Sequence, residues 1–190
     1  MDQSNLALFT LLGQTAQRAV SSVEEIKPSV SIEIGGNYDL SSHMPEISKR
    51  AIAASSTYQL FFIFEEYLRD FVQDILSDGQ KKDEAEWWPL VRTDIQTEVK
   101  KLEDTEEMKK WMSLNARGKI FLLTLPQLLT IIDENWKTHF EELVRDKTLI
   151  QQARLLIHLR NTICHMSNIS MEENNRIKQV MRDWFRAVAP

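Results

Sequence analysis

The stretch "HLRNTICH", residues 158 to 165, holds two histidines, an arginine, an asparagine and the only cysteine of the chain. On a helix, Asn161 and His165 stand four apart and share a face. His158 and His165 stand seven apart and nearly align. Arg160 lies about 140° from His165 on a regular helix, and that angle shrinks where a helix frays. These residue types suit chemistry at a phosphodiester. A histidine titrates near neutrality and moves a proton on or off a ribose 2′-hydroxyl. An arginine holds a phosphate through two hydrogen bonds and stabilises its growing charge. An asparagine orients either group. The same spacing also fits a plainer reading. His158 and His165 are then boundary residues, the latter favoured by the dipole at a helix C-terminus, and Arg160 is a solvated charge.

Other constellations are thinner. A zinc site needs more ligands than His158 and His165, and Cys164 points elsewhere on the helix. Cys164 has no evident base to make it a nucleophile, which leaves it a small core residue. Glu65, Glu66 and Asp70 in "FEEYLRD" read as an acid pair or a site wall. The alternative is a solvated face with an ion pair to Arg69. The pair Trp87 and Trp88 before Pro89 reads as a packing anchor. "ARGK" at 116–119 is too short for a phosphate-cradling loop.

The elements that must position these residues are helical. Leu8, Leu11, Leu12, Ala16, Ala19, Val20 and Val23 recur at threes and fours, which predicts a helix over 5–26, stopped by Pro28. "SVSIEIGGNYDLSS" is a short strand, a hairpin arm or an ordered loop. Pro45 can open the next helix, whose apolar face strengthens from Tyr58 to Ile75 and ends before Gly79. Asp83 is a candidate cap for an element containing Pro89, followed by a charged helix to about Trp111 with Val91, Ile95, Val99 and Leu102 on one side. Pro126 opens another helix, and "THFEELVRD" is a short helical stretch. "TLIQQARLLIHLRNTICH" is the most helical segment, and "MSNIS" breaks it. Ser170 and Glu173 form a capping box for a last helix over 171–187. The expected fold is all-α: an antiparallel up-down helical bundle with an extra N-terminal helix. Residues 1–45 form an N-terminal appendage and 46–190 the bundle.

Composition agrees. At 190 residues and 43% hydrophobic, one domain with a real core is expected. Five glycines and five prolines favour long helices over a turn-rich β protein. No 18-residue apolar window predicts a membrane span. The acidic start "MDQSN" argues against a secretory signal, and one cysteine suits a reducing, cytoplasmic setting. The net charge of −5 does not suggest bulk nucleic-acid binding. It is unevenly shared, however. From Arg145 onward, eight Lys/Arg face four Asp/Glu, about +4, which leaves about −9 on the first 144 residues. Either this is ordinary helix surface, or a basic face around "RNTICH" attracts phosphate.

"FEEYLRDFVQDIL", "EWWPLV", "LTLPQLLTIIDENWKTHFEEL", "LRNTICH" and "ISMEENNRI", in that order, resemble the HEPN superfamily (higher eukaryotes and prokaryotes nucleotide-binding). The likeness is to the branch found in a fungal RNA-surveillance endonuclease and in bacterial toxin and defence proteins, and it covers residues 58–187. HEPN nucleases carry an arginine, then a polar residue, then a histidine; Arg160, Asn161 and His165 match that pattern as R-N-x3-H. The resemblance implies a four-helix core, usually dimeric, with two motifs facing each other in a composite cleft. It implies a metal-independent endoribonuclease without a cofactor. In that chemistry the 2′-hydroxyl attacks the phosphate and leaves a 2′,3′-cyclic phosphate and a 5′-hydroxyl. His165 would be the acid/base, Arg160 would hold and stabilise the phosphate, and Asn161 would position them. RNA, a second copy of the chain and an antitoxin or regulatory protein are the implied partners, in a toxin or an anti-phage effector. The superfamily also holds inactive members. A non-catalytic RNA- or protein-binding module, or a regulatory nucleotide cleft, therefore stands beside the nuclease.

Overall fold

The computed structural model describes residues 13–15, 31–35, 39–77, 84–109 and 118–188. The chain divides into two compact units, residues 1–53 and 54–190. The expected helix over 5–26 lies outside the described residues except for Gly13 to Thr15, which are helical. Asp83, Gly79 and Trp111 also lie outside them.

In the first unit, the described parts of the segment left open between strand and loop, residues 31–35 and 39–42, are joined by one antiparallel bridge, Glu33 to Asp39. Asp39 organises it. Its Oδ1 accepts from the Ser41 backbone N–H at 2.9 Å and from the Ile32 N–H at 3.1 Å. It thereby caps the short helix α1 (Leu40–His43). The Ser41 backbone bond is the main reason that its carboxyl is held down to about 2.

Helix α2 (Pro45–Leu76) follows, with Pro45 at its start as expected. From residue 54 on it belongs to the second unit. There it buries Phe61, Phe64, Leu68, Val72 and Leu76, a line at threes and fours. Next come α3 (Glu84–Trp87) and a single 3-10 turn over Trp88–Leu90 that contains Pro89. The charged helix α4 (Thr93–Met108) begins only after that turn. Gln96 explains the break: its side-chain amide donates to the carbonyls of Trp88 at 2.9 Å and Val91 at 2.8 Å, and so holds the turn. Val91, Ile95 and Val99 are buried, whereas Leu102 is exposed.

After α5 (Lys119–Leu122), α6 (Leu125–Glu134) opens at Pro126 with Thr124 as its cap, whose N–H donates to Gln127 Oε1 at 2.8 Å. The expected short helix around residue 140 is instead one π-turn, Trp136–Phe140. Tertiary bonds select it. The Trp136 indole N–H donates to the Val144 carbonyl at 2.7 Å, and Phe140 is driven into the core.

Helix α7 (Thr148–Cys164) and helix α8 (Met171–Val188) complete the chain. Ser170 caps α8, accepting from the Glu173 N–H at 3.2 Å, but the other half of the expected capping box is not made among the described residues: the Glu173 carboxylate pairs with Arg176 at 3.6 Å instead. Helix α7 packs between α6 and α8, and the six-residue link to α8 turns the chain back in the antiparallel sense. An aromatic cluster locks α2 to α8. Phe64 meets Trp184 edge-on at 5.8 Å, Tyr67 meets Phe185 at 4.9 Å, and Phe71 meets Phe140 at 5.4 Å. The fold is all-α, as expected; among the described residues there is no strand beyond the single bridge. No helix among them is long and apolar enough to cross a membrane.

Candidate active site

Helix α7 carries every residue of "RNTICH" to the same end of the second unit. Its buried side is set by Ile150, Ala153, Leu156 and Ile163. Arg160 stands beside that buried line and is half-buried, with a side-chain exposure of 28%. Asn161, Cys164 and His165 are exposed, as is His158.

The end of α7 is well defined. The His165 N–H donates to the Asn161 carbonyl at 3.0 Å, so the last turn stays α-helical through His165. Met166 then adopts φ 59°, and two bonds close the end: Met166 N–H to Ile163 O at 3.0 Å and Ser167 N–H to Thr162 O at 3.1 Å. This is a Schellman cap with methionine where glycine is usual. In this structure the helix is closed, not frayed, at the motif. Asn161 and His165 keep a common face, and Arg160 stays about 140° round from His165.

Arg160 faces α2. Its Nε donates to Glu65 Oε2 at 3.4 Å, and its two Nη groups make no hydrogen bond among the described residues. Glu65 is 8% exposed and is held from its other side. Arg69 Nη2 donates to Glu65 Oε1 at 2.7 Å and to the Leu123 carbonyl at 3.1 Å, and Arg69 Nη1 donates to Glu66 at 2.6 Å. One buried carboxylate thus joins two guanidiniums from different helices. The ion pair with Arg69 expected in "FEEYLRD" holds for both glutamates, but Glu65 is buried rather than on a solvated face, and both glutamates line the groove, as the site-wall alternative expects. The reach of Glu65 to Arg160, across 95 residues of sequence, is an addition that no local pattern signals.

These groups line a groove of about 230 Å³. Its wall also includes Tyr58 and Phe62 of α2, Phe121 of α5, and Cys164. Asn161 and His165 do not line it. Arg160 and His165 therefore address different surfaces of one chain: a groove beside α2 and an open helix end. Cys164 is a free thiol at the groove and not a core residue; Ile163 takes the buried place beside it.

The remaining candidates resolve as packing. Trp87 is fully buried and meets Trp88 edge-on at 5.3 Å, the anchor expected of it. Lys119, the last residue of "ARGK", lies 5.5 Å over the Trp88 ring and pairs with Glu84 at 2.8 Å, a bond that raises its pKa. Among the described residues no three His, Cys, Asp or Glu side chains are grouped to hold a metal ion.

Compared with known protein families, residues 59–189 match the family described as Swt1-like HEPN. No curated protein matches the chain, and no solved structure does.

Proposed function

Because this chain belongs to the Swt1-like HEPN family, we propose that it is a metal-independent endoribonuclease. Arg160, Asn161 and His165 would carry its chemistry. The observation that carries the reading is the state of Arg160. It is half-buried and oriented by a buried carboxylate, and among the described residues only its Nε is bonded, which would leave the Nη fork to a phosphate. His165, five residues on, is solvent-exposed at a rigid helix end, where a histidine can exchange protons with substrate.

In the proposed reaction His165 takes the proton of a ribose 2′-hydroxyl. The oxygen attacks the adjacent phosphorus, and the bond from phosphorus to the 5′-oxygen breaks. That oxygen collects a proton from a histidinium. A 2′,3′-cyclic phosphate and a 5′-hydroxyl remain. Arg160 holds the non-bridging oxygens as charge builds on them, and Asn161 orients the pair. A second copy of the chain would complete the cleft. An RNase that cuts cellular RNA needs restraint, so the proposal extends to a toxin or anti-phage effector held by an antitoxin or regulatory protein.

The test is RNA cleavage in EDTA, read by the cyclic-phosphate end. His165→Ala and Arg160→Ala should each lose at least about 100-fold in rate, the usual range for an acid/base or a charge-stabilising donor, with unchanged circular dichroism. A dimer that leaves every RNA intact, alone and with its partner, sinks the proposal.

Two observations favour a second reading, a non-catalytic binding module. Arg160 already has a carboxylate, and the first 144 residues carry about −9. In that case His165→Ala would leave partner binding unchanged, and charge reversal on α8 would abolish it.

A further inference from the structure

Helix α8 carries cations along one side. Ile177, Val180, Met181, Trp184 and Val188 mark its buried line. Lys178, Arg182 and Arg186 follow one another at intervals of four, and all three are exposed. At about 100° per residue they drift only about 80° over the run, so they form one stripe about 12 Å long. Seen down the helix axis, the exposed Glu172 and the half-buried Asp183 lie on the flank beside Arg186, Asp183 three residues before it, but Asp183 Oδ1 accepts from the Gln179 amide at 2.8 Å and Glu173 pairs with Arg176 at 3.6 Å.

None of the three stripe cations has a carboxylate partner among the described residues. Arg182 donates only to the neutral Gln179 Oε1, at 2.7 Å. Elsewhere the chain pairs such groups closely: Arg69, Arg92, Lys119, Lys147 and Arg154 each meet a carboxylate at 2.6 to 2.8 Å. Lys100, Lys101, Lys109, Lys137 and Arg145 have no carboxylate partner among the described residues either; each has an acidic residue within four positions, and none belongs to a run of three cations at i,i+4. Like charges at i,i+4 repel, and ordinary helix surfaces intersperse the signs. A run of three exposed cations at i,i+4 with no salt bridge among the described residues therefore costs some mutual repulsion, and it creates a local positive strip on an acidic protein. The strip also has a direction. Helix α8 starts six residues after His165 and packs along α7, so the strip leads away from the motif-bearing end.

We propose that Lys178, Arg182 and Arg186 form a track for the phosphate backbone of single-stranded RNA, outside the scissile phosphate. This rests on the nuclease reading, which itself requires a flexible strand: the 2′-oxygen, phosphorus and 5′-oxygen must come into line. Successive stripe residues rise about 6 Å along the helix, so the track meets several phosphates of one strand.

The experiment measures binding of a single-stranded 20-mer carrying 2′-O-methyl groups throughout, which blocks the proposed attack, over a range of salt. Two triple variants are compared with wild type: Lys178→Gln/Arg182→Gln/Arg186→Gln on the stripe, and Lys100→Gln/Lys101→Gln/Lys109→Gln as a control. Both remove the same net charge. Single strands release about 0.7 counterion per phosphate contact, so the stripe variant should flatten the slope of log K against log salt by about 2. Its affinity should fall at least tenfold, while the control stays within about twofold. Cleavage of a dinucleotide, too short to reach the stripe, should proceed equally in all three. A stripe variant that behaves like the control overturns the track and leaves the nuclease reading standing. A wild type that binds polyglutamate but not RNA overturns both.

Discussion

At the scale of single residues, the informative contact is Glu65 between Arg69 and Arg160. Its carboxylate is almost dry, with a side-chain exposure of 10%, and both guanidiniums that neutralise it are largely shielded from water. Removing one member of such a set leaves an uncompensated charge, which is why breaking buried pairs is costly. A double-mutant cycle separates that coupling from the loss of each side chain alone. Glu65→Ala and Arg160→Ala, measured singly and together by urea unfolding, should couple by about 1 kcal/mol, within the range for neighbours in one charge network. The long 3.4 Å contact keeps the expectation modest. Additive effects would mean that Arg160 is not oriented by Glu65, and the open Nη fork would lose its argument.

At the scale of elements, the end of α7 stores a small strain beside the motif. Met166 is 92% exposed, so its side chain contributes no packing, yet its φ of 59° is a conformation that costs an L-residue roughly 1–2 kcal/mol. Met166→Gly should therefore raise stability, by about 1 kcal/mol or slightly less once the greater freedom of glycine in the unfolded chain is counted. Urea midpoints measure it. An unchanged or lower midpoint would show that the two cap bonds do not hold the turn in solution. Much at this scale was legible beforehand because its causes are local: the apolar spacing of α2 and α7, Pro45 at a helix start, Ser170 as a cap. What was not legible has distant causes. The π-turn at Trp136–Phe140 answers to an indole bond and a buried ring, and the 3-10 turn at Pro89 to a glutamine beyond it. The groove was hidden for the same reason, since Tyr58, Phe121 and Arg160 come from three helices far apart in sequence. Cys164 departs from the expected core place because helical spacing alone does not say which of two adjacent residues, 163 or 164, turns inward.

At the scale of the whole molecule, the rigid end of α7 bears on how many chains make one site. Fraying would have let Arg160 and His165 of one chain converge. The capped end works against it, since α-helical bonding continues through His165 and sets the two side chains about 140° apart. Under the proposed function, a phosphate held by Arg160 in its groove would need a histidine from elsewhere, and a second copy of the same chain would supply one at no cost in new sequence. If the proposed cleft is shared in this way, chains carrying Arg160→Ala and chains carrying His165→Ala, each inactive alone, should recover activity when unfolded together and refolded as a mixture. Heterodimers then bring one intact arginine to one intact histidine. Cleavage should peak near equal proportions and vanish at either extreme. A site completed within one chain would stay dead at every ratio, and in that case the open helix end at His165 and the groove at Arg160 would have to be read as two separate surfaces.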